Sequence, residues 1–330
     1  MTALYDVSAI GNAIVDVIAP CEDAFLETEG LVKGSMQLVE ESQAVALYGR
    51  MKAGLETSGG SAGNTVAGVA SFGGRAAYLG KVANDQLGDV FAHDMKAIGV
   101  AFGTTPLIGG PATARSMINV TGDGQRTMCT FLGASIELTP DDVKPEIIEG
   151  STIVYLEGYL FDPSEARRAF AKAAGLAHAA GRQMAMTLSD AFVVDRHRGA
   201  LLGFVEGQCD IVLANESEVM ALFETDDFDA AAAQLAARTK ICAITRGEKG
   251  SLVLAGKDSA IVPAYPVEKV VDTTGAGDQY AAGFLLGIAR GLPLAVAGKL
   301  GSLAASEVIG HYGPRPQVSL EALAKAEGLL

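Results

Sequence analysis

The feature of this 330-residue chain that most constrains its fold is the alternation of short apolar runs with longer alanine-rich segments. The runs are nearly continuous in Val, Ile, Leu, Met and Ala, which is typical of strands buried on both faces. The segments between them, such as SEARRAFAKAAGLAHAAG and DFDAAAAQLAARTK, have helical periodicity. This alternation predicts an α/β sandwich with a central, mostly parallel sheet and helices on both faces. The predicted strands are YDVSAIG, STIVYLEG, RQMAMTLS, CDIVLAN, KICAITRG and GSLVLAG.

Two regions, roughly residues 12–45 and 105–135, depart from this rhythm. They are richer in alternating polar and apolar residues, as in ATARSMINVTGDGQRTMCTFLG, where TGDGQ predicts a hairpin turn. We expect the two regions to form a small β-sheet that stands off the main one. Because no repeat or Pro-rich linker divides the chain, we predict a single domain over residues 1–330, whose remaining residues form the large α/β core.

Charge and composition exclude several classes of partner. The formal net charge of −14 argues against nucleic acids and anionic membranes as partners. No apolar run reaches the roughly 18 residues of a membrane span, and the amino terminus lacks the basic leader of a signal peptide. The four cysteines have no C-x-x-C spacing and the four histidines no paired metal-ligand spacing. We therefore expect a reduced, cytoplasmic protein.

A glycine-rich stretch near the carboxy terminus predicts an anion site. The sequence has neither a P-loop nor a G-x-G-x-x-G after a strand, which also disfavours a dehydrogenase. Instead, Gly275, Ala276 and Gly277 precede a long apolar helix pattern, and main-chain N–H groups at a helix start bind anions. Asp278 would lie beside that anion, where a carboxylate can accept a proton from an attacking alcohol. The alternative interpretation is that Asp278 merely caps the helix.

Two long motifs resemble the signatures of the PfkB (ribokinase-like) family of carbohydrate and nucleoside kinases. DTTGAGDQYAAGF resembles the carboxy-terminal signature, and GGSAGNTVAGVASFGGRAAYLGKVANDQLGDVF, residues 59–91, resembles the amino-terminal one. The resemblance covers nearly the whole chain. It implies a ribokinase-like three-layer sandwich with a β-sheet lid, and transfer of a phosphoryl group from ATP with Mg²⁺ as cofactor.

The resemblance also implies roles for matching residues. Asp278 would be the catalytic base, with residues 275–277 as its anion hole. Asn215 and Glu218, in LANESEV, would organise Mg²⁺ largely through water, although this pattern is also typical of a helix cap. The implied nucleotide contacts are Asn215, Thr245, Gly247, Gly275 and Gly277. Asp272 and Thr274, with the backbone near residues 305–310, match a loop that binds K⁺ in several members.

Asp16 is the residue that bears most on the acceptor substrate. It interrupts an otherwise apolar strand pattern, GNAIVDVIAP, and a buried carboxylate without a partner is unfavourable. Two adjacent sugar hydroxyls would be good hydrogen-bond partners for this carboxylate. The alternative interpretation is that Asp16 faces the solvent from an edge strand. In the family, the positions of Asp16, Gly59, Gly60 and Asn64 hold the sugar.

Within the family, the chain most resembles the adenosine kinase branch. INVTGDGQRTM is similar to its lid hairpin, where Arg126 would meet substrate or phosphate, and TLSDAFVV to the segment in which Phe192 would contact the base. In SMQLVE, Leu38 matches a substrate contact, while Met36 replaces a polar residue of the branch.

The sequence thus predicts a kinase that acts on the 5′-hydroxyl of a purine nucleoside, adenosine before inosine or guanosine, as a monomer or homodimer. A ribokinase- or fructokinase-like sugar kinase is the alternative. A non-catalytic regulator that binds a nucleoside or sugar is the alternative of another class.

Overall fold

The computed structural model describes residues 3–330, whose strands form a nine-stranded and a five-stranded sheet. The strands are β1 (Tyr5–Ile10), β2 (Ile14–Pro20), β3 (Met36–Leu38), β4 (Leu55–Ser58), β5 (Ala76–Leu79), β6 (Ala101–Phe102), β7 (Ala114–Val120), β8 (Arg126–Phe131), β9 (Ser151–Glu157), β10 (Gln183–Thr187), β11 (Ile211–Asn215), β12 (Ile241–Thr245), β13 (Ser251–Ala255) and β14 (Asp258–Val262).

Helices surround the larger sheet and also cover part of the smaller one. They are α1 (Asp23–Glu29), α2 (Glu41–Tyr48), α3 (Ser61–Ser71), α4 (Gln86–Ala97), α5 (Pro145–Glu149), α6 (Ser164–Ala179), α7 (Ala191–Gln208), α8 (Glu216–Phe223), α9 (Phe228–Ala236), α10 (Ala276–Ala289), α11 (Leu294–Val308) and α12 (Leu320–Ala326). Among the described residues, no helix has the length and apolarity needed to cross a membrane.

The larger sheet confirms the predicted α/β sandwich. Its strand order is β14-β13-β12-β11-β10-β9-β1-β5-β6, and all neighbours are parallel except the pairs β12–β13 and β13–β14. The six predicted strands are β1 and β9 to β13. Successive residues of β9 explain the continuous apolar runs, because Ile153 and Tyr155 join one hydrophobic core while Val154 and Leu156 join the core on the opposite face.

The smaller sheet has the order β3-β8-β7-β2-β4, and β7 and β8 form the hairpin predicted around TGDGQ. Its strand β4 lies outside the two regions from which we expected this sheet. We did not predict it because the sequence LETS is too short and too polar to be recognised as a strand. The face that carries Met117, Cys129 and Phe131 packs against α2 and forms a third, small core. The opposite face remains open toward the larger sheet.

Candidate active site

A cavity of about 400 Å³ lies between the smaller sheet and the carboxyl ends of the parallel strands. Carboxyl ends of neighbouring parallel strands meet at one edge of a sheet, which is where α/β proteins bind ligands. From the strands of the larger sheet, Tyr155, Thr187, Asn215 and Thr245 line the cavity. The remaining residues used below that line it are Asp16, Gly60, Asn64, Ser116, Ile118, Arg126, Met128, Thr130, Glu218, Thr274, Gly275, Gly277 and Asp278.

Asp278 lies in the first turn of α10 and points into this cavity rather than into the apolar interior. Ser61 Oγ donates a hydrogen bond to its Oδ1 at 2.6 Å, and Asn64 Nδ2 donates to its Oδ2 at 3.1 Å. Burial, with a further contribution from the charge of Asp16, raises the pKa of Asp278 to about 7, while the two hydrogen bonds and Arg315 oppose the rise. A carboxylate with such a pKa is a stronger base than an ordinary aspartate and is about half ionised at pH 7.

The start of α10 presents main-chain donors beside Asp278. The Ala276 amide donates to Thr273 O at 3.2 Å, but neither the Gly277 nor the Asp278 amide has a main-chain acceptor within residues 3–330. Gly275 precedes the helix with φ +80°, and a Cβ there would lie 2.6 Å from Pro314 Cα, so only glycine fits. The free donors at the predicted anion hole are therefore the Gly275, Gly277 and Asp278 amides rather than the Ala276 amide.

Asp16 is buried on β2, an internal strand of the smaller sheet between β7 and β4, and it faces the cavity. It is 8 % exposed, and no described residue donates a hydrogen bond to its carboxylate. Burial raises its pKa to about 6 against the opposing charges of Arg315 and Arg126. Gly59 makes room for the carboxylate, because a Cβ at residue 59 would lie 2.4 Å from Asp16 Oδ2. The carboxylate is thus free to accept hydrogen bonds from a ligand.

Arg126 joins the smaller sheet to the loop that precedes α10. Its Nη2 lies 2.8 Å from Asp272 Oδ2, and both side chains are buried. Its Nε and Nη1 are buried without a hydrogen-bond partner, and the residue lines the cavity. Asp272 Oδ1 also accepts hydrogen bonds from the Thr274 amide and hydroxyl. Both carboxylate oxygens of Asp272 therefore already accept hydrogen bonds from the protein, and a role for Asp272 and Thr274 at K⁺ stays a prediction.

Asn215 and Glu218 form a helix cap at the start of α8 and also line the cavity. Glu218 accepts hydrogen bonds from the Asn215 amide N–H and side chain, and burial raises its pKa to about 7. No cluster of three or more His, Cys, Asp or Glu suited to a metal occurs in the described part of the chain. One carboxylate and one amide fit Mg²⁺ only if water and phosphate oxygens supply its other ligands.

A second cavity, of about 610 Å³, opens on the other side of Gly277. Thr245, Gly277 and Tyr280 line both cavities, and Gly247 lines the second one with φ +58°. Ala276, at the start of α10, also lines it. Most of its remaining lining comes from the loop after β14 and from the end of α11, namely Ala264, Tyr265, Pro266, Val267, Val270, Thr273, Ser302, Ala305, Ser306 and Ile309. Apart from the backbone near residues 305–310, the sequence analysis did not single out this lining.

Two predicted substrate contacts, of which Phe192 was expected to meet the base, do not line the first cavity. Leu38, on the outer strand β3, is 63 % exposed, and Phe192, at the start of α7, is 76 % exposed; neither lines the cavity. Leu38 pairs with Thr130 of β8, which does line it, so Leu38 lies on the open face of the smaller sheet. Their contacts with a substrate stay predictions.

The sequence analysis missed three residues that hold the site together. Ser61 donates to Asp278, as given above. Arg315 Nε donates to Asn64 Oδ1 at 3.2 Å. The buried Glu157 accepts hydrogen bonds from the Asn12 and Ala62 amides and so fixes the start of α3. Glu157 ends an apolar strand in the same way that Asp16 interrupts one, a signal that could have identified it.

Comparisons with known proteins agree with this geometry. The chain is similar to an adenosine kinase from Sinorhizobium meliloti of known crystal structure, with 55 % identity, a TM-score of 0.90 and coverage of 98 % of this chain and 100 % of that one. It is similar to a probable sugar kinase from Rhizobium etli, with 50 % identity, a TM-score of 0.92 and full coverage of both chains. The adenosine kinase of Saccharomyces cerevisiae is 26 % identical over 92 % of this chain and 95 % of its own length.

The family profile of the pfkB carbohydrate kinases matches residues 7–321. Kinases of this family transfer a phosphoryl group from ATP to a hydroxyl group, typically with Mg²⁺. Because this match spans most of the chain and the fold agrees, the protein belongs to the pfkB family of carbohydrate kinases.

Proposed function

We propose that this kinase phosphorylates the 5′-hydroxyl of a purine nucleoside, with adenosine as its first candidate. The observation that carries the proposal is the position of Asp278 and of the free amides at residues 277 and 278, where the two cavities adjoin. A kinase needs its acceptor and donor on opposite sides of one such point, because phosphoryl transfer is roughly in line. The smaller, charged cavity would hold the nucleoside, and the larger one the nucleotide.

The roles of the residues follow from their chemistry. Asp278, held by Ser61 and Asn64, would accept the proton of the 5′-hydroxyl. The Gly277 and Asp278 amides, and the unpaired nitrogens of Arg126, would stabilise the charge that develops on the transferred group. Mg²⁺, organised by Asn215 and Glu218 through water, would supply further neutralisation of phosphate charge when bound.

The open face of the smaller sheet supports a nucleoside as the acceptor. Asp16, Ser116 and Thr130 are cross-strand neighbours, and Leu38 continues their row; the Ser116 and Thr130 hydroxyls hydrogen-bond at 2.9 Å. The adjacent row is apolar and consists of Ile18, Ile118, Met128 and Met36. A ligand with a hydroxylated ring at one end and a flat, apolar ring system at the other matches this gradient.

Closure of the smaller sheet would complete the site. Met36 and Leu38 are exposed on β3, on the same face as Met128 and Thr130. If this sheet moves toward the larger one, their apolar side chains would cover the base and exclude water, which suppresses hydrolysis of ATP.

A sugar kinase is the second candidate, and Asp16 favours it as strongly as it favours a nucleoside. A free sugar would use Asp16, Ser116 and Thr130, but it would leave the apolar row around Ile118 and Met128 without a partner. The two candidates therefore differ in whether that row contacts the substrate.

A substrate panel separates the candidates. With ATP as donor, kcat/KM is measured for adenosine, inosine, guanosine, ribose and fructose. We expect adenosine to exceed either sugar by at least about 100-fold, since a purine adds several kcal/mol of buried contact. Replacement of Met128 by Gln should lower kcat/KM for adenosine and leave that for ribose nearly unchanged. A preference for ribose or fructose would overturn the nucleoside assignment.

A further inference from the structure

Arg315 lies in the segment after α11, distant in sequence from every residue that the site analysis assigns to the reaction. Its Nη1 donates a hydrogen bond to Ser58 Oγ at 2.8 Å, and its Nε donates to Asn64 Oδ1 at 3.2 Å. The guanidinium group therefore links the end of β4 to the first turn of α3, across the loop that contains Gly59 and Gly60. That loop makes room for Asp16 and begins helix α3.

The contact with Asn64 fixes the direction of an amide. An asparagine side chain has one acceptor atom and one donor atom, and a guanidinium group can only donate. Because Arg315 occupies Oδ1 of Asn64, the Nδ2 group must point away from it, and it donates to Asp278 Oδ2 at 3.1 Å. A rotated amide would instead turn an acceptor oxygen toward the Asp278 carboxylate and repel it.

We propose that Arg315 is a positioning residue for phosphoryl transfer, which links β4 to α3 through Ser58 and Asn64 and, through the Asn64 amide, orients the Asp278 carboxylate. The inference rests on the proposed role of Asp278 as the base. Arg315 itself need not touch either substrate, because it acts on Asp278 through the Asn64 amide and through its own positive charge.

The charges around Asp278 support this role. Asp16 on β2 raises the pKa of Asp278, and the charge of Asp278 in turn raises the pKa of Glu157 on β9 and of two tyrosines that also face it, Tyr155 and Tyr159. Arg315 is the cation that lowers the pKa of Asp278, and it lowers the pKa of Asp16 more than Arg126 does. Removal of the guanidinium charge should therefore raise the pKa of Asp278, and the acid limb of the pH–rate profile should move to higher pH.

The first experiment compares pH profiles of kcat/KM for wild type, Arg315→Gln, Arg315→Lys and the control Arg290→Gln. Arg290 ends the same helix α10 that Asp278 begins, it is exposed, and its loss changes the net charge equally. We expect Arg315→Gln to lower kcat roughly tenfold to a hundredfold, as small misplacements of a catalytic group do, and to shift the acid limb upward. Arg315→Lys keeps the positive charge but lacks the planar set of guanidinium donors. Its kcat should therefore fall, while the acid limb of its pH profile should shift less than that of Arg315→Gln. Arg290→Gln should match wild type.

The second experiment is a double-mutant cycle with Asn64→Ala, preceded by thermal unfolding of each variant. If Arg315 positions Asp278 through Asn64, Arg315→Gln should cost little further activity once Asn64 is alanine, when the rates are compared at a pH above the acid limb of every variant. Should Arg315→Gln fail to fold, Arg315→Lys takes its place in the cycle. Additive losses together with an unmoved acid limb would overturn the inference.

The failure of this inference can be told apart from failure of the proposed function. If Asp278→Asn is inactive but the Arg315 and Asn64 substitutions have additive effects on the rate, only Arg315 is removed from the mechanism. A fully active Asp278→Asn removes the base itself, and the role of Arg315 with it.

Discussion

The two cavities that adjoin at Gly277 differ in what lines them. The smaller one contains the charged side chains of Asp16, Arg126, Glu218 and Asp278. Each of them either has a hydrogen-bond partner in the protein or has polar atoms left free for a ligand. The larger one is lined mostly by small and apolar residues and by main chain from the loop after β14 and the end of α11. Charged side chains thus dominate the lining of the smaller cavity, whereas the larger cavity offers mainly an apolar space.

This difference indicates that the two cavities would serve different purposes, proton transfer in the smaller one and binding of a flat ring in the larger one. Buried charges are unfavourable unless a ligand or partner uses them, so the charged cavity is where selectivity for hydroxyl groups and proton transfer belong. An apolar slot can bind a flat ring by burial alone and needs few specific side chains. Substitutions on the two sides should therefore change different kinetic parameters.

Asp278→Asn should have the largest effect, because it removes the proposed base at the point where the cavities adjoin. We expect kcat to fall by about 10³-fold or more, while the dissociation constants of adenosine and ATP change by only a few-fold. Calorimetry of each ligand and a coupled ADP assay measure the two quantities. Asp229→Asn, which changes an exposed acid in the first turn of α9, is the matched control. An unchanged rate would remove Asp278 from the mechanism.

Asp16→Ala should affect the charged side alone. The loss of the proposed acceptor for two hydroxyls should raise the KM for nucleoside by about 100-fold or more, since hydrogen bonds to a charged group contribute roughly 1.5–3 kcal/mol each. The dissociation constant of ATP should stay within twofold. Equal losses for both ligands would contradict the assignment of the two cavities.

Ala305→Phe should affect the apolar side alone. Ala305 lies on α11 and lines the larger cavity, so a phenyl ring there would occupy space that the nucleotide needs. We expect the KM for ATP to rise about tenfold with little change in the affinity for nucleoside. Ala295→Phe, at an exposed position of the same helix, is the control. If the variant weakened nucleoside binding instead, the cavities would have been assigned in reverse.

The smallest expected effect concerns stability. The pKa of Asp278 is raised in the folded protein to about 7 from an ordinary value of 3.8, so its contribution to stability is present below pH 3.8 and is lost as the pH rises through about 7. Replacement of Asp278 by Asn, which does not ionise, removes this loss of stability at high pH. At pH 8 we expect Asp278→Asn to raise Tm by about 2–4 °C, and at pH 4 to leave it unchanged. A difference that is the same at both pH values would contradict a buried, perturbed carboxyl group.

How much of the molecule the sequence could predict also differs between regions. The strands of the larger sheet were predictable because burial on both faces makes each an apolar run, as the two cores around β9 illustrate. Asp278 and its glycines were predictable because the chemistry lies within a few consecutive residues. Strand β4 was not, since LETS has no apolar pattern and forms a strand only through its pairing with β2.

The residues that tertiary structure brings together were beyond local patterns. Arg315 contacts Asn64 across 251 residues of sequence, and no spacing rule connects them. The lining of the larger cavity has the same origin, because small and apolar residues carry no signal until the fold places them around a space. Leu38 and Phe192 matched motifs, yet both are exposed and neither lines the first cavity, so their contacts with a substrate stay predictions.

A crystal structure with adenosine and a non-hydrolysable ATP analogue tests most directly whether the reaction takes place between the two cavities. We predict the 5′-oxygen at roughly 2.6–3.2 Å from the Asp278 carboxylate, which is hydrogen-bond distance, with the terminal phosphate against the Gly277 and Asp278 amides. The adenine of the analogue should lie beside Ala305. A nucleoside whose hydroxyl points away from Asp278, or a triphosphate that does not reach the start of α10, would contradict the account.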